Sequence, residues 1–150
     1  MPQKKCQYIP DNSSPLQEKF INYLMVDGKK NISRKIFKDT LKLMSAKDAN
    51  PEKVFEKAIE TVKPNLEVRA KRIGGAVYQI PVEVKPHRQL ALAFRWIIGA
   101  SKAKKGSNMS KKLADELMAA ANGEGSAMKK KEDTLKMAVA NKAFAHYARY

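Results

Sequence analysis

Apolar residues recur at intervals of three and four along most of the chain and alternate with polar ones in a single stretch, residues 66–84. Side chains repeat about every 3.6 residues on a helix and every second residue on a strand, so the two spacings mark the two kinds of element. The pattern predicts a mainly α protein, a single helical domain (residues 1–150) of about six helices with one extended β-hairpin arm between the third and fourth.

The first helix starts at Ser14-Pro15-Leu16-Gln17, where Ser14 caps, Pro15 takes the first turn and Gln17 completes a capping box. Leu16, Phe20, Tyr23 and Leu24 form its inner face, and Asp27-Gly28 is expected to end it. The second helix is expected to be capped by Asn31 and to bury Ile36, Phe37, Thr40, Leu41, Leu43 and Met44. The third opens at Asn50-Pro51-Glu52, buries Val54, Phe55, Ala58, Ile59 and Val62, and stops before Pro64. The fourth, residues 87–103, is apolar nearly all round through Leu90, Ala91, Leu92, Ala93, Phe94, Trp96, Ile97 and Ile98, which places it centrally; Trp96 is read as a core residue in preference to a base-stacking platform. The fifth spans about 108–121 with Met109, Leu113, Leu117 and Ala120 inward. Ser126 is expected to cap a sixth helix running to about residue 147, packed through Met128, Leu135, Ala138, Val139 and Phe144.

Within 66–84, Gly74-Gly75 separates two runs rich in β-branched and aromatic residues, which predicts a two-residue hairpin turn. That turn pairs Ile73 with Ala76, Arg72 with Val77, Lys71 with Tyr78 and Arg69 with Ile80. Arg69, Lys71, Ile73, Tyr78, Ile80 and Val82 then share one face, and Ala70, Arg72, Val77 and Gln79 the other. Neither face is an ordinary sheet core. Either the ribbon is a basic arm projecting toward an anionic partner, or it lies flat on the helices.

Charge narrows the function. The chain carries 30 Lys and Arg against 15 Asp and Glu, a net +15, a field suited to nucleic acid or an anionic membrane. No apolar run approaches the roughly 20 residues of a membrane span. The start, with Lys4-Lys5, has no apolar core of a secretory signal. One cysteine, Cys6, fits a reducing compartment. Two histidines and that cysteine are too few for a metal site, and neither a phosphate loop nor a nucleophile elbow is present. No enzyme activity, cofactor or small-molecule substrate is therefore expected. The candidate polyanion contacts are Lys4 and Lys5 on a flexible basic amino-terminal arm (residues 1–13), Lys29, Lys30, Arg34, Lys35, Arg69, Lys71, Arg72, Tyr78, Arg88, Arg95, Lys102, Lys104, Lys105, Lys111, Lys112, Lys129, Lys130 and Lys131. Lys38 and Lys42 join the outer face of the second helix. The rival readings are an architectural DNA-binding protein with a basic β-arm, for which Ile73-Gly74-Gly75-Ala76 is a weak wedge, and a module that docks on an acidic protein.

Four blocks carry a resemblance. The first is Ser14-x-Leu16-x-x-x-Phe20-Ile21 with Gly28-Lys29-Lys30, Ile36-Phe37 and Thr40; the second is Val54-Phe55-Glu56-Lys57-Ala58 with Val62-Lys63-Pro64. The third runs from Arg72-Ile73-Gly74-Gly75-Ala76 through Tyr78-Gln79-Ile80-Pro81-Val82-Glu83-Val84, and the fourth from Ala121-Asn122-Gly123 through Lys130-Lys131-Glu132-Asp133-Thr134 to Ala143-Phe144-Ala145-His146-Tyr147. In this order they resemble small-subunit ribosomal protein seven of the bacterial and organellar type. The resemblance implies a structural protein on the cytoplasmic ribosome of a bacterium or on an organellar ribosome. It implies binding to the 3′ major domain of small-subunit rRNA, a part in nucleating head assembly, and neighbouring head and platform ribosomal proteins. It also places the ribbon tip, Ile73, Gly74, Gly75 and Ala76 with Tyr78, near the exit-site tRNA and the mRNA exit path. Lys4, Lys5, Lys29, Lys30, Arg72, Arg88, Arg95 and Lys129 to Lys131 fall in the family's RNA-facing regions. Residues 1–13 depart from the family's arginine-rich opening, and Leu135 stands where a polar residue is common.

Overall fold

A computed structural model describes residues 8–149; Lys4, Lys5 and most of the expected amino-terminal arm lie outside the described residues. Six α-helices, a two-stranded ribbon and a terminal 3-10 helix follow in order: α1 Pro15–Leu24, α2 Lys30–Ser45, α3 Pro51–Val62, β1 Leu66–Ile73, β2 Ala76–Glu83, α4 Pro86–Ala103, α5 Met109–Ala121, α6 Ser126–Ala140 and the 3-10 helix Lys142–Arg149. The protein is mainly α, with the hairpin between the third and fourth helices as its sequence pattern predicts.

The start of α1 is the predicted capping box: Ser14 Oγ accepts the Gln17 N–H at 3.2 Å, and Gln17 Oε1 accepts the Ser14 N–H at 3.4 Å. Its end differs. The helix stops at Leu24, and Met25 is already extended at φ −61°, ψ 138°. Asp27 (φ 53°) and Gly28 (φ 73°) are consecutive left-handed residues bridged by the Lys29 N–H to Val26 carbonyl bond at 3.1 Å. An Asp-Gly pair with two positive φ angles makes a tight turn between helices rather than a helix cap. At the start of α2 the cap position belongs to Lys29 and not Asn31, and no side chain caps it. Ser33, Phe37, Thr40 and Met44 are the buried stripe of α2, while Leu43 is exposed. The Ser33 and Thr40 hydroxyls are buried without penalty because each donates to a carbonyl of its own helix at 2.8 Å.

The core is organised on four phenylalanines from four helices. Phe20 meets Phe55 and Phe94 edge-on with ring centroids 5.2 Å apart, and Phe37 meets Phe55 at the same distance. Edge-to-face pairs of this kind add about 0.5–1.5 kcal/mol each beyond their buried area. α4 touches α1, α3, α5 and α6, the central position its apolar run predicts.

α6 corrects the sequence reading at both ends and along its face. Gly125, at φ 95°, holds the cap position in place of Ser126, and the helix ends at Ala140, after which the chain tightens into the 3-10 helix. Its buried residues are Ala127, Thr134 and Ala138, whereas Leu135 and Val139 are 47% and 62% exposed. Small side chains let α6 lie close to its neighbours, so the larger apolar residues turn outward.

The ribbon has the predicted register, with Ile73 opposite Ala76, Lys71 opposite Tyr78 and Arg69 opposite Ile80. Gly74 (φ 58°) and Gly75 (φ 89°) supply the two left-handed residues of the turn. Its geometry lies between the two expected ones. α6 packs on β1, and the 3-10 helix packs on β2, covering the face of Lys71, Tyr78 and Ile80. Ala70, Arg72, Val77 and Gln79 on the other face, and Gly74, Gly75 and Ala76 at the tip, are exposed.

Candidate nucleic-acid interface

The basic side chains divide by what they touch. Several are tied to the protein itself. Glu18, 1% exposed at the side chain, receives Arg34 Nη2 at 3.0 Å and lies 3.5 Å from Lys30 Nζ. Burial alone would raise the Glu18 pKa; the Arg34 hydrogen bond and the Arg34 and Lys30 charges outweigh it and hold the carboxyl below its ordinary value. Glu67, at the base of β1, pairs with Arg69 at 3.2 Å and with Arg88 of α4 at 3.4 Å. Lys71 Nζ donates to the Tyr147 carbonyl at 3.2 Å, and Lys131 Nζ to the Thr61 carbonyl at 2.6 Å.

Glu116 is the most enclosed of these anchors. Its side chain is fully buried in α5, and Lys104 Nζ lies 2.7 Å from Oε2 as an ion pair. Its other oxygen accepts the Ala127 N–H at 2.9 Å. A carboxylate from α5 thus caps the start of α6, favourable for both the orphan N–H groups and the helix dipole. Gly125 makes room for it, since a Cβ there would lie 3.0 Å from Glu116 Oε1.

The remaining candidates face outward. Among the described residues, no ion pair reaches Lys29, Lys35, Lys38, Lys42, Arg72, Arg95, Lys102, Lys105, Lys111, Lys112, Lys129 or Lys130. Two connected basic surfaces result. The first begins at a cavity of about 640 Å³ where Tyr8 and Asn12 face Arg34, Lys35, Lys38 and Lys42 of α2, with Asp11, Glu18 and Asp39 also lining it. It continues through Lys42 into a cleft of about 490 Å³ shared with Asn108 and Lys111 at the start of α5. The second crosses α4, where Arg95 separates two smaller cavities that reach Tyr23 and Lys102 on one side and Trp96 and Lys130 on the other. Lys102 sits in the last turn of α4.

Sequence reasoning did not assign Tyr23 or Gly99 to an interface, and it placed Trp96 in the core. Trp96 is half-buried and packs against the core as expected, with part of its surface lining a cavity. Arg95 Cζ lies 5.8 Å from the centre of the Tyr23 ring, within cation–π range. Arginine preceding an aromatic on an otherwise apolar helix was the available signal. The ribbon's Tyr78 is covered by Phe144 and Tyr147, and Ile73 is half-buried.

The family model for "Ribosomal protein S7p/S5e" matches residues 1–142. Three similar relatives are each named small ribosomal subunit protein uS7. That of Nitratiruptor sp. is 54% identical over 140 residues, covering 92% of this chain and 90% of its own length. That of Nitratidesulfovibrio vulgaris is 49% identical over 148 residues, 98% of this chain and 95% of its own. That of Micrococcus luteus is 48% identical over 147 residues, 97% of this chain and 94% of its own. The chain therefore belongs to the small-subunit ribosomal protein seven family, S7p/S5e, whose members are structural proteins of the ribosome and not enzymes.

Proposed function

We propose that this protein binds the 3′ major domain of small-subunit rRNA in a bacterial cytoplasmic ribosome, joins separate RNA segments there, and so helps nucleate assembly of the subunit head. The observation that carries this reading is the distribution of unpaired cations. Lys35, Lys38 and Lys42 on α2, Lys102 at the end of α4, Lys111 at the start of α5 and Lys130 on α6 have no ion-pair partner among the described residues, and they line two basic surfaces. Such side chains neutralise phosphates and release counterions, with affinity falling by roughly 10³ to 10⁵ between 50 and 200 mM salt for about six to ten contacts. The bacterial origin of the relatives supports the location.

The ribbon's exposed tip and its Arg72 face are proposed to lie toward the exit-site tRNA and the mRNA path, with Lys4 and Lys5 contributing from the amino terminus. Neighbouring head and platform proteins are the proposed protein partners. Competition between a 3′-domain rRNA transcript and duplex DNA of equal length tests the reading. Preference for the transcript of at least about tenfold at physiological salt is expected, and equal competition would contradict it.

A further inference from the structure

Glu67 stands where the base of a ribbon would ordinarily carry an apolar residue. It lies opposite Val82, on the face of Arg69, Lys71 and Ile80, and is the only acid on that face among the described residues. Its side chain is 12% exposed. Burying a carboxylate is costly even when it is paired, and an apolar side chain of similar size is often as stable or more so. Stability therefore does not account for it. Its two oxygens are divided between two arginines from different elements. Oε1 lies 3.2 Å from Arg69 Nη2 on the same strand, and Oε2 accepts the Arg88 Nε–H at 3.4 Å. Arg88 belongs to the first turn of α4, where its backbone N–H donates to the Lys85 carbonyl at 2.9 Å. The ribbon base is closed beside it by the Val84 N–H on the Asn65 carbonyl at 3.0 Å. One carboxylate thus spans the joint between ribbon and helix.

We infer that Glu67 is a positioning residue: it fixes the Arg69 and Arg88 guanidiniums so that their remaining N–H groups are set to receive RNA phosphates at the ribbon joint. The proposal rests on the RNA-binding reading above and adds the part a buried acid plays in it. A guanidinium carries five N–H donors in a rigid fork, so an arginine held by a carboxylate keeps donors for a second anion. Among the described residues, no acceptor besides Glu67 takes an N–H from either side chain, and they stay 67% and 39% exposed. A long side chain ordered before its partner arrives loses less freedom on binding. The sign of the effect separates this from simple neutralisation. By charge alone, removing an acid from beside two cations strengthens the positive field and tightens RNA binding. Positioning requires the opposite.

The full-length protein and its Glu67→Gln, Arg88→Lys, Arg88→Ala and Glu67→Gln/Arg88→Ala variants are titrated with the 3′-domain transcript over a range of salt, with circular dichroism to check the helical content of each. Glu67→Gln is expected to weaken binding by about tenfold and to flatten the plot of log K against log salt by roughly one unit, despite the added net positive charge. Arg88→Lys keeps the charge but not the fork, and is expected to weaken binding as well. In the Arg88→Ala background Glu67→Gln is expected to cost much less than it does alone, because the two residues act through one contact. Unchanged or tighter binding by folded Glu67→Gln, or an equal loss in both backgrounds, overturns the positioning role. Should Glu67→Gln lose helical content, Arg88→Lys decides, and binding equal to wild type overturns it. If the wild-type protein binds the transcript with a steep salt dependence while Glu67→Gln matches it, the positioning role alone falls; if the wild-type protein does not bind the transcript, the RNA-binding reading falls with it.

Discussion

Tyr78 on β2 and Phe144 in the 3-10 helix meet with ring centroids 5.1 Å apart and planes inclined at 48°. Tyr147 adds a second ring at 5.8 Å from Tyr78, and its carbonyl accepts the Lys71 ammonium. A two-stranded ribbon is marginally stable alone, so this cover is what orders its inner face. Phe144→Ala should cost about 1 kcal/mol and speed amide exchange along β2, with the exchange of α1 to α5 unchanged. Hydrogen exchange read by mass spectrometry checks this; equal protection of β2 with and without the Phe144 ring would refute it.

Glu116 leads to a larger effect. Glu116→Ala removes the α6 cap and leaves Lys104 without its anion, for an expected loss of about 3 kcal/mol in urea unfolding at neutral pH. Gly125→Ala should also destabilise, because its φ of 95° disfavours a side chain and the new Cβ would press on Glu116 Oε1 and on Ala119 Cβ, 3.2 Å away. A Gly125→Ala protein as stable as wild type would show that the carboxylate is not confined there.

Glu18 makes a pH-dependent prediction. Its pKa is held below the ordinary value, so the unfolded chain binds the proton more readily than the folded one. The stabilisation is therefore present above the unfolded carboxylate pKa, near 4.3 for an ordinary glutamate, and is lost as pH falls through the lower folded value. Glu18→Gln should cost about 1–3 kcal/mol at neutral pH and flatten the acid limb of the stability profile. Solvent screens the pairing, because the Arg34 and Lys30 side chains are 29% and 32% exposed. Chemical denaturation at a series of pH values decides it: an acid limb unchanged in Glu18→Gln would remove Glu18 from the account.

What the sequence disclosed and what it hid follow from the range of the interactions. The ribbon register was legible because Gly74-Gly75 and the flanking alternation are local signals, and the α1 start because Ser14, Pro15 and Gln17 are neighbours. The partners of Glu18 and Glu116 were not legible, since the acids look like ordinary helix charges until α2 and the α4–α5 connection fold against them. Ala138 was read correctly on the α6 face, but Ala127 and Thr134 were missed because they carry little hydrophobic weight, while Leu135 and Val139 carry much and point outward. Arg95 was legible as an outward residue of α4, but its place beside Tyr23 depends on how α1 crosses α4.

The division of cations into tied and free ones is the central claim, and the salt dependence of binding to the 3′-domain transcript tests it most directly. The triple substitution of Lys35, Lys38 and Lys42 by alanine should flatten the plot of log K against log salt by roughly one unit per lysine with little loss of stability. Lys104→Ala should lower stability and leave that slope unchanged. An unaltered slope in the folded triple variant, or an equal reduction in Lys104→Ala, would contradict the account.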